Sequence, residues 1–429
     1  MRKGIVFGLL ILMAVAPVFA GGGQESAEGG MESGGGSEPM EQKTVNFFIS
    51  GKSVWGEPMA DVVARFNEDY PNITVEYEVV GGGVDWRPIL ATRARTGNLP
   101  DIFMIDGASD FSVYGEYLDD LSDMDVVDHF LPVAEESAYL DGRLMGLPTS
   151  IEGYGYIYNK DLFAQAGIDK VPETFSELEA AAEQLAAAGI TPFVSGYGTW
   201  WVTSNHQLNV PFASQDDPQA FVEALNAGRA SMADNEYFQD LQQLIDLVRS
   251  NTMGDPLSQD HHMQVSLFAS EDAAMIQQGN WKEAAILDAN PDIDMGLVPL
   301  ALTVDAARSG RIPVGIPWYF VVTEDSPVNA EARTFLNWLL NEPAGQEELA
   351  VTLNSIPAYD HFDVDFAGGI SSDVLAYSLD GKTMPWMFGL WPQGYSQEAS
   401  NILQEYIADR ISFDEALDRL DEAWQDLAE

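Results

Sequence analysis

Between Thr44 and Asp106 the hydrophobic pattern changes period repeatedly, and this alternation restricts the fold more than any other feature of the chain. Val45, Phe47 and Ile49 alternate as in a half-buried strand. Met59, Val62, Val63 and Phe66 then recur at helical spacing, and Ile73, Val75, Tyr77 and Val79 alternate again. A helix ending near Gly97 follows, and NLPDIFMID supplies a further short apolar strand that stops at Asp106. Strands interleaved with helices predict an α/β chain with a mostly parallel sheet, whose ligand edge lies at the carboxyl ends of its strands. Ser50 to Trp55 and Asp106 to Asp110 both follow such ends.

The stretch from Gly142 to Phe193 is the next constraint. Ile151 to Tyr158 mixes small and aromatic residues, with Gly153 and Gly155 allowing another backbone or a ligand to approach, and reads as a crossing strand. Thr174 with Glu177 forms a capping box, Phe175, Leu178, Ala182 and Leu185 mark the buried helix face, and Gly189 with Pro192 stops it. The pattern fits either a hinge between two domains or an ordinary αβ connection within one. Farther on, PFVSGYGTWWVTSNHQ reads as a loop, and Pro218 to Asn226 and Asn235 to Ser250 read as helices. A short strand is expected over Ala273 to Ile276, then a turn at Gly279, a helix from Trp281 and a strand over Met295 to Leu300. Arg308 to Arg311 reads as a polar turn, and IPVGIPWYFVVT as one long strand. Helices over Glu331 to Leu340 and Pro343 to Leu353, a turn at Asn354 to Pro357, the loop MPWMFGLWP, and helices over Ser396 to Ile407 and from Ser412, capped by Glu415, to Leu427 complete the chain.

With 429 residues, 46% hydrophobic and 11% aromatic, the chain has material for two or three globular units. Arg2 and Lys3, the apolar run from Ile5 to Val15 and Val18-Phe19-Ala20 predict a cleaved signal peptide over 1–20, the apolar run being shorter than the ~20 residues of a membrane span. Gly21 to Gln42, rich in Gly, Ser and Glu, predicts a flexible tether. There is no cysteine, which excludes disulfides, thiolate ligands and a lipid-modified cysteine, and predicts a soluble protein of the periplasm. Twenty basic against 68 acidic residues give a net charge of −48, which argues against nucleic acid and anionic membranes as partners. The acidity fits adaptation to high salt or solubility alone.

GLP, then an acidic residue, then YNKDLF and PETFSEL stand in an order and spacing that resembles the extracellular solute-binding proteins of carbohydrate ABC importers, the maltose-binding-protein-like family. LPDIF, AMIQQGNW and FLNWLLNEPAGQEEL extend the resemblance from Lys43 to the end. It implies a two-lobed periplasmic binding protein fold, each lobe a mostly parallel sheet flanked by helices, with the ligand cleft between. The first lobe would comprise 43–150 with 312–358 and the second 151–311 with 359–429, with crossings near Ser150, Arg311 and Ala358. The implied partners are a carbohydrate ligand and the permease subunits of an ABC transporter, and a monomer is expected.

A sugar site needs planar polar groups for hydroxyls and aromatic faces for C–H patches. Of the ten tryptophans, Trp338 and Trp424 lie within helices and read as core, whereas Trp55, Trp200, Trp201, Trp386 and Trp391 lie in loops. Trp86 and Trp318 fit either reading. The resemblance makes Trp281 a stacking aromatic, with one of Trp200 and Trp201 and one of Trp386 and Trp391 as others. It also places Glu152 as the acidic residue on the crossing strand. Asp106 at a strand end and Asp85 beside Trp86 are further acidic candidates, and Asn205, His206 and Asn280 could bond hydroxyls beside the tryptophans. His261-His262 lacks the spacing of a metal site, so no metal or cofactor is expected. No G-x-S-x-G, H-E-x-x-H, Walker or G-x-G-x-x-G motif is present. A secreted glycoside hydrolase and a receptor for a cation such as a polyamine remain as alternatives.

If the acidity is a salt adaptation, self-repulsion acts over ~30 Å in dilute buffer and ~3 Å in molar salt. The melting temperature should therefore climb steadily between dilute and molar sodium chloride. A flat profile would leave solubility as the whole reason for the charge.

Overall fold

The computed structural model describes residues 41–81, 84–135, 138–300, 302, 309–363 and 369–428. The expected signal peptide, nearly all of the tether, Gly82-Gly83 and Arg308 of the expected polar turn lie outside the described residues.

The strands are β1 Lys43–Gly51, β2 Ile73–Gly81, β3 Ile102–Ile105, the small hairpin β4 Tyr139–Leu140 and β5 Arg143–Leu144, β6 Leu147–Pro148, β7 Glu152–Asn159, β8 Phe193–Val194, β9 Met275–Gly279, β10 Met295–Val298, β11 Ile312–Gly315, β12 Tyr319–Val322 and β13 Thr383–Pro385. They form a first sheet in the order β2-β1-β3-β12-β6 and a second in the order β13-β11-β7-β9-β8, with β10 also on β7. The alternation read in β1 and β2 produces a long parallel pair, Lys43 opposite Ile73 through Gly51 opposite Gly81. Between them the helix Met59–Asp69 buries Met59, Val62 and Phe66, the stripe read from the sequence. The helix Phe175–Ala187 starts where expected, with the Thr174 side chain accepting from Glu177 N at 3.3 Å; the Glu177 carboxylate reaches back to Glu173 N at 2.9 Å.

Among the described residues each sheet contains a single strand that runs against the others. In the first it is β12, antiparallel to β3 and β6; in the second it is β7, antiparallel to β9, β10 and β11. Both start at the carboxyl ends of their neighbours: Tyr319 faces Ile105 and Pro148, and Glu152 faces Gly315 while Tyr154 faces Gly279. The chain leaves β6 at Pro148 and enters β7 after Thr149-Ser150-Ile151, and it leaves β11 at Gly315 and enters β12 after Ile316-Pro317-Trp318. Such short crossings force the carboxyl edges of the two sheets to face each other.

IPVGIPWYFVVT is thus two strands of different sheets, not one long strand. Pro317 has no N–H to give a ladder and sits where the ladder breaks. The expected loop at PFVSGYGTWWVTSNHQ is a turn followed by helix over 200–213, whose middle, Val202–Leu208, is wound as a π-helix. Its hydroxyls bond the helix itself, Thr203 Oγ1 and Ser204 Oγ donating to Trp200 O at 2.9 Å each. The expected strand at Ala273 to Ile276 begins at Met275 and continues to Gly279. The MPWMFGLWP loop contains β13 and a 3-10 turn, Phe388–Leu390.

The core of the first sheet is aromatic. Phe66 meets Phe335 and Trp338 edge-on, with ring centroids at 5.0 and 5.2 Å, and Phe47 meets Phe320 at 5.9 Å. Trp338 is fully buried, its Nε1 donating to Asp69 Oδ2 at 3.1 Å. On the second sheet Trp424 is buried against Phe212 and Tyr395. No described helix is long and apolar enough to cross a membrane. Trp338→Ala would leave a large cavity, at a cost of about 3–5 kcal/mol, read as a lowered urea midpoint. A midpoint within error of wild type would remove Trp338 from the core.

Candidate ligand-binding cleft

The facing carboxyl edges collect the side chains that follow each parallel strand. On the first sheet, Lys52 follows β1, Trp86 and Arg87 open the helix Arg87–Arg95 beyond β2, and Asp106 follows β3. On the second, Trp281 follows β9 and Trp386 follows β13.

The two sides meet at an ion pair. Lys52 Nζ donates to Glu152 Oε1, joining the loop after β1 to the first residue of β7, with both side chains largely buried. Lys52 Nζ also stands 5.7 Å from the ring of Trp55. Glu152 therefore lies at the crossing, as expected, already bound to a cation the sequence reading did not single out. Trp55 is different: it is 1% exposed, stacks on Phe320, and its Nε1 donates to Leu353 O at 3.1 Å. It belongs to the first core and has no face for a ligand. The loop after β1 folds inward because Leu353 offers its indole a carbonyl.

Beside this pair, Arg87 gathers the other two acidic candidates. Its Nη2 bonds Asp106, its Nε lies 3.7 Å from Asp110 and its Nη1 lies 4.0 Å from the exposed Asp85. Asp85 also accepts from Arg87 N at 3.1 Å, so it serves mainly as a turn former at the helix start. The guanidinium covers Trp86 at 4.6 Å, and Trp86 in turn meets Trp318 edge-on at 5.9 Å. Asp110 is buried and hydrogen-bonded to Asp106. Burial first, then that bond and the Asp106 charge, push its pKa up to about 8 against the pull of Arg87, so near neutral pH it is largely protonated.

The second side is an aromatic corner. Trp281 and Trp386 are half-buried, their centroids 6.5 Å apart and their planes at 81°, and Tyr154 of β7 lies within 6.2 Å of both. Each indole lies flat on a glycine. A Cβ on Gly279 would come within 2.4 Å of the Trp281 ring, and one on Gly315 within 2.5 Å of the Trp386 ring. The same arrangement recurs on the first side, where a Cβ on Gly51 would come 2.0 Å from the Trp318 ring. Trp281 Nε1 donates to Gln278 Oε1 at 3.0 Å, Gln278 Nε2 to Gln264 Oε1 at 2.7 Å and Gln264 Nε2 to Val194 O at 3.0 Å, which fixes the ring orientation. Trp386 Nε1 is buried with no hydrogen-bond partner among the described residues.

His206 closes the back of the corner. It stacks on Tyr154 at 4.2 Å and lies 5.4 Å from Trp281, with Nδ1 2.8 Å from Gln277 Oε1. Burial, opposed by the Gln277 bond, lowers its pKa to about 4, so the imidazole is neutral. Asn280 is buried and its Oδ1 accepts from Gly153 N at 3.0 Å, a structural tie between β9 and β7. Asn205 lies on the π-helix, where its backbone carbonyl accepts from the Tyr154 hydroxyl at 2.9 Å.

The remaining expected aromatics divide. Trp200, 38% exposed, and Trp201 form an edge-on pair of their own at 5.8 Å, and Trp201 faces His261 at 4.7 Å. No ring contact described here joins them to Trp281 or Trp386. Trp391 is 6% exposed and packs against Phe212 and Tyr395 in the second core. Lys52, Arg87 and Tyr154 were missed by sequence reasoning. The only cue was position, directly after strand ends or beside a predicted acid. Two hollows, of about 590 Å³ lined by Arg65, Tyr70 and Glu342 among others and of about 240 Å³ lined by Gln215, Arg311 and Met384 among others, include none of these residues. The aromatic corner and the ion pairs mark the cleft better than the hollows do, because they combine flat apolar faces with convergent polar groups.

Comparison with known proteins agrees with this architecture. An ABC transporter extracellular-binding protein of Pyrococcus horikoshii is 24% identical over 311 residues, 69% of this chain and 68% of that one. A multiple sugar-binding protein of Streptococcus mutans is 24% identical over 271 residues, 61% of this chain and 63% of the relative. Among solved structures, RafE in complex with raffinose superposes with a TM-score of 0.76 at 18% identity, over 90% of this chain and all of that one. The binding protein MsmE of Bacillus subtilis, in an open conformation, also gives 0.76, at 20% identity over 91% and 98% of the two chains. These likenesses establish the two-lobed fold. The family model of the bacterial extracellular solute-binding protein matches residues 52–346, more than half of the sequence, and the chain belongs to that family.

Proposed function

We propose that this protein is a periplasmic carbohydrate receptor that encloses a mono- or oligosaccharide between its lobes and delivers it to the permease of an ABC transporter. The observation that carries the reading is the corner of Trp281 and Trp386, two half-buried indoles at 81° seated against glycines. A pyranose offers C–H patches to such faces, while its hydroxyls need the charged groups at the opposite edge. Names of relatives and neighbours, a multiple sugar-binding protein and a raffinose complex among them, support the same class.

In this reading the lobes are 43–150 with about 316–358, and 151–315 with 359–429, and the crossings at Thr149-Ser150-Ile151 and Ile316-Pro317-Trp318 act as hinges. The pairing of β11 with β7 and β13 supports a second crossing a few residues beyond Arg311. The ligand-facing set is Trp281, Trp386, Glu152 and Asp106, with Lys52 and Arg87 added, while Trp200, Trp201 and Asn205 form an outlying patch. Export by a cleaved signal peptide, absence of a cysteine-borne lipid and a monomeric state belong to the same proposal.

The alternatives fare worse on the geometry. A cationic ligand needs free carboxylates, and Glu152 and Asp106 are each bound to a cation of the chain. A glycosidase needs two carboxyls roughly 5 to 9.5 Å apart across the scissile bond. Asp106 and Asp110 instead share a direct hydrogen bond, which leaves no room for a sugar between them. In this reading the protein is a binder and not an enzyme.

A thermal-shift screen of mono- and oligosaccharides, followed by calorimetric titration, tests the class. No stabilisation by any sugar would sink it. For the best ligand, Trp281→Ala should weaken binding at least about fivefold, through loss of an aromatic face worth ~1–3 kcal/mol, with the melting temperature nearly kept. Normal affinity in that variant would remove the corner from the site.

The buried His206 sets a pH response. The folded state takes up its proton only near pH 4, whereas the unfolded chain does so near 6.5. Stability should therefore fall as pH drops from about 6.5 to about 4. His206→Gln should make the urea midpoint less sensitive over that range, and an unchanged pH slope would mean that His206 titrates normally.

A further inference from the structure

Away from the cleft, two distant segments run side by side and bring together side chains suited to a transition metal. His129 ends the 3-10 turn Asp125–His129, and Asp360 and His361 follow Tyr359. Phe130 and Tyr359 form an antiparallel bridge, Leu131 N donates to Ala358 O and Asp360 N to His129 O, both at 2.9 Å. These backbone bonds hold the segments in register. The imidazoles of His129 and His361 stack at 4.1 Å, and His129 Nδ1 lies 2.9 Å from Asp360 Oδ1. One nitrogen from each ring and one oxygen of Asp360 all lie within 4.8 Å of one another.

The state of His361 gives this cluster its direction. Its Nε2 lies 3.1 Å from Leu340 O, and a carbonyl can only accept, so Nε2 carries the hydrogen and Nδ1 is left as a bare lone pair. That Nδ1 is buried and has no partner among the described residues. An imidazole whose far N–H is tied to a backbone carbonyl, with the near nitrogen free, has the preparation found in metal-ligating histidines. A buried acceptor without a donor is otherwise costly.

We propose that His129, Asp360 and His361 form a site for zinc or a similar divalent transition metal, with a fourth position open to water. Two imidazoles select such ions over calcium or magnesium, which take oxygen ligands. Zinc bonds of about 2.0–2.2 Å in tetrahedral geometry put ligand atoms about 3.4 Å apart, so the cluster must contract by roughly 1 Å. The carboxylate of Asp360, 62% exposed, is free to adjust toward a shared ion. Tyr359 donates its hydroxyl to Pro148 O at 2.6 Å, so the metal would brace the chain beside the crossing between β6 and β7. The sequence expectation of no metal site rested on the spacing of His261-His262; these ligands lie 231 residues apart and leave no local motif.

The full chain, stripped with chelator, is titrated with cobalt(II) and then zinc in excess magnesium, which saturates diffuse binding to the acidic surface. One equivalent of cobalt should give visible ligand-field bands that zinc abolishes, and zinc should raise the melting temperature. His129→Ala and His361→Ala should each weaken zinc binding by at least tenfold, and His262→Ala should leave it unchanged. If His361→Ala is unstable without metal, His361→Gln keeps a donor for Leu340 O and serves instead. Absence of the bands in the wild-type chain overturns the proposal. So does their persistence in a folded His129→Ala/His361→Gln double variant, which would place the metal elsewhere.

Discussion

The backbone ladder of β12 holds the first lobe together. This strand enters between β3 and β6 and bonds both, so without it two edges of the sheet would expose buried amides and carbonyls. The strand β7 does the same between β11 and β9 in the second sheet. Because both arrive by a short crossing from the other lobe, each must start at the carboxyl edge it has just crossed to and run against its neighbours. The facing of the two carboxyl edges, and hence the cleft, follows from sheet pairing and linker length before any side chain is considered.

Side chains then shape what the cleft can hold. Glycines at the carboxyl ends of β1, β9 and β11 each let an indole lie flat on the backbone: Trp318 on Gly51, Trp281 on Gly279 and Trp386 on Gly315. A large flat side chain normally gains by full burial. Here each ring packs against a glycine, which helps to fix it, and stays half-buried, so part of it remains accessible. Charge is arranged with similar economy. In a chain of 68 acidic residues, the scarce cations Lys52 and Arg87 are placed against the cleft carboxylates, so the site has paired charges inside a strongly anionic surface.

How much of this was legible in the sequence depended on burial pattern. The opening strands and helix were readable because β2 alternates buried and exposed residues and Met59, Val62 and Phe66 mark a helical face. The break between β11 and β12 was not, since both strands are buried throughout and the joined run, although it carries Pro313, Gly315 and Pro317, looks like one core strand. The helix over 200–213 was hidden by its hydroxyls and amides, which suggest a loop, although Thr203 and Ser204 bond back to the helix at Trp200 O and Gln207 bonds the buried Tyr197 hydroxyl. Trp55 and Trp281 both lie in short 3-10 turns near a glycine, yet one is buried in the first core and donates to Leu353 O, while the other stays half-buried and donates to the buried Gln278. Partners such as Lys52 and Glu152, 100 residues apart, have no local signature at all.

The position of β12 also bears on how the protein is made. Its residues lie at 319–322, behind β7, β8, β9, β10 and β11 of the second sheet in the order of synthesis. Until they have emerged, β1, β2 and β3 can pair but the far edge of β3 stays open, a strand edge able to join the wrong partner. The nascent first lobe therefore waits, unfinished, while some 170 further residues are added after β6. Mutual repulsion among many carboxylates would keep such half-built chains apart during that interval, a benefit of the acidic composition that is distinct from any stabilisation of the finished fold.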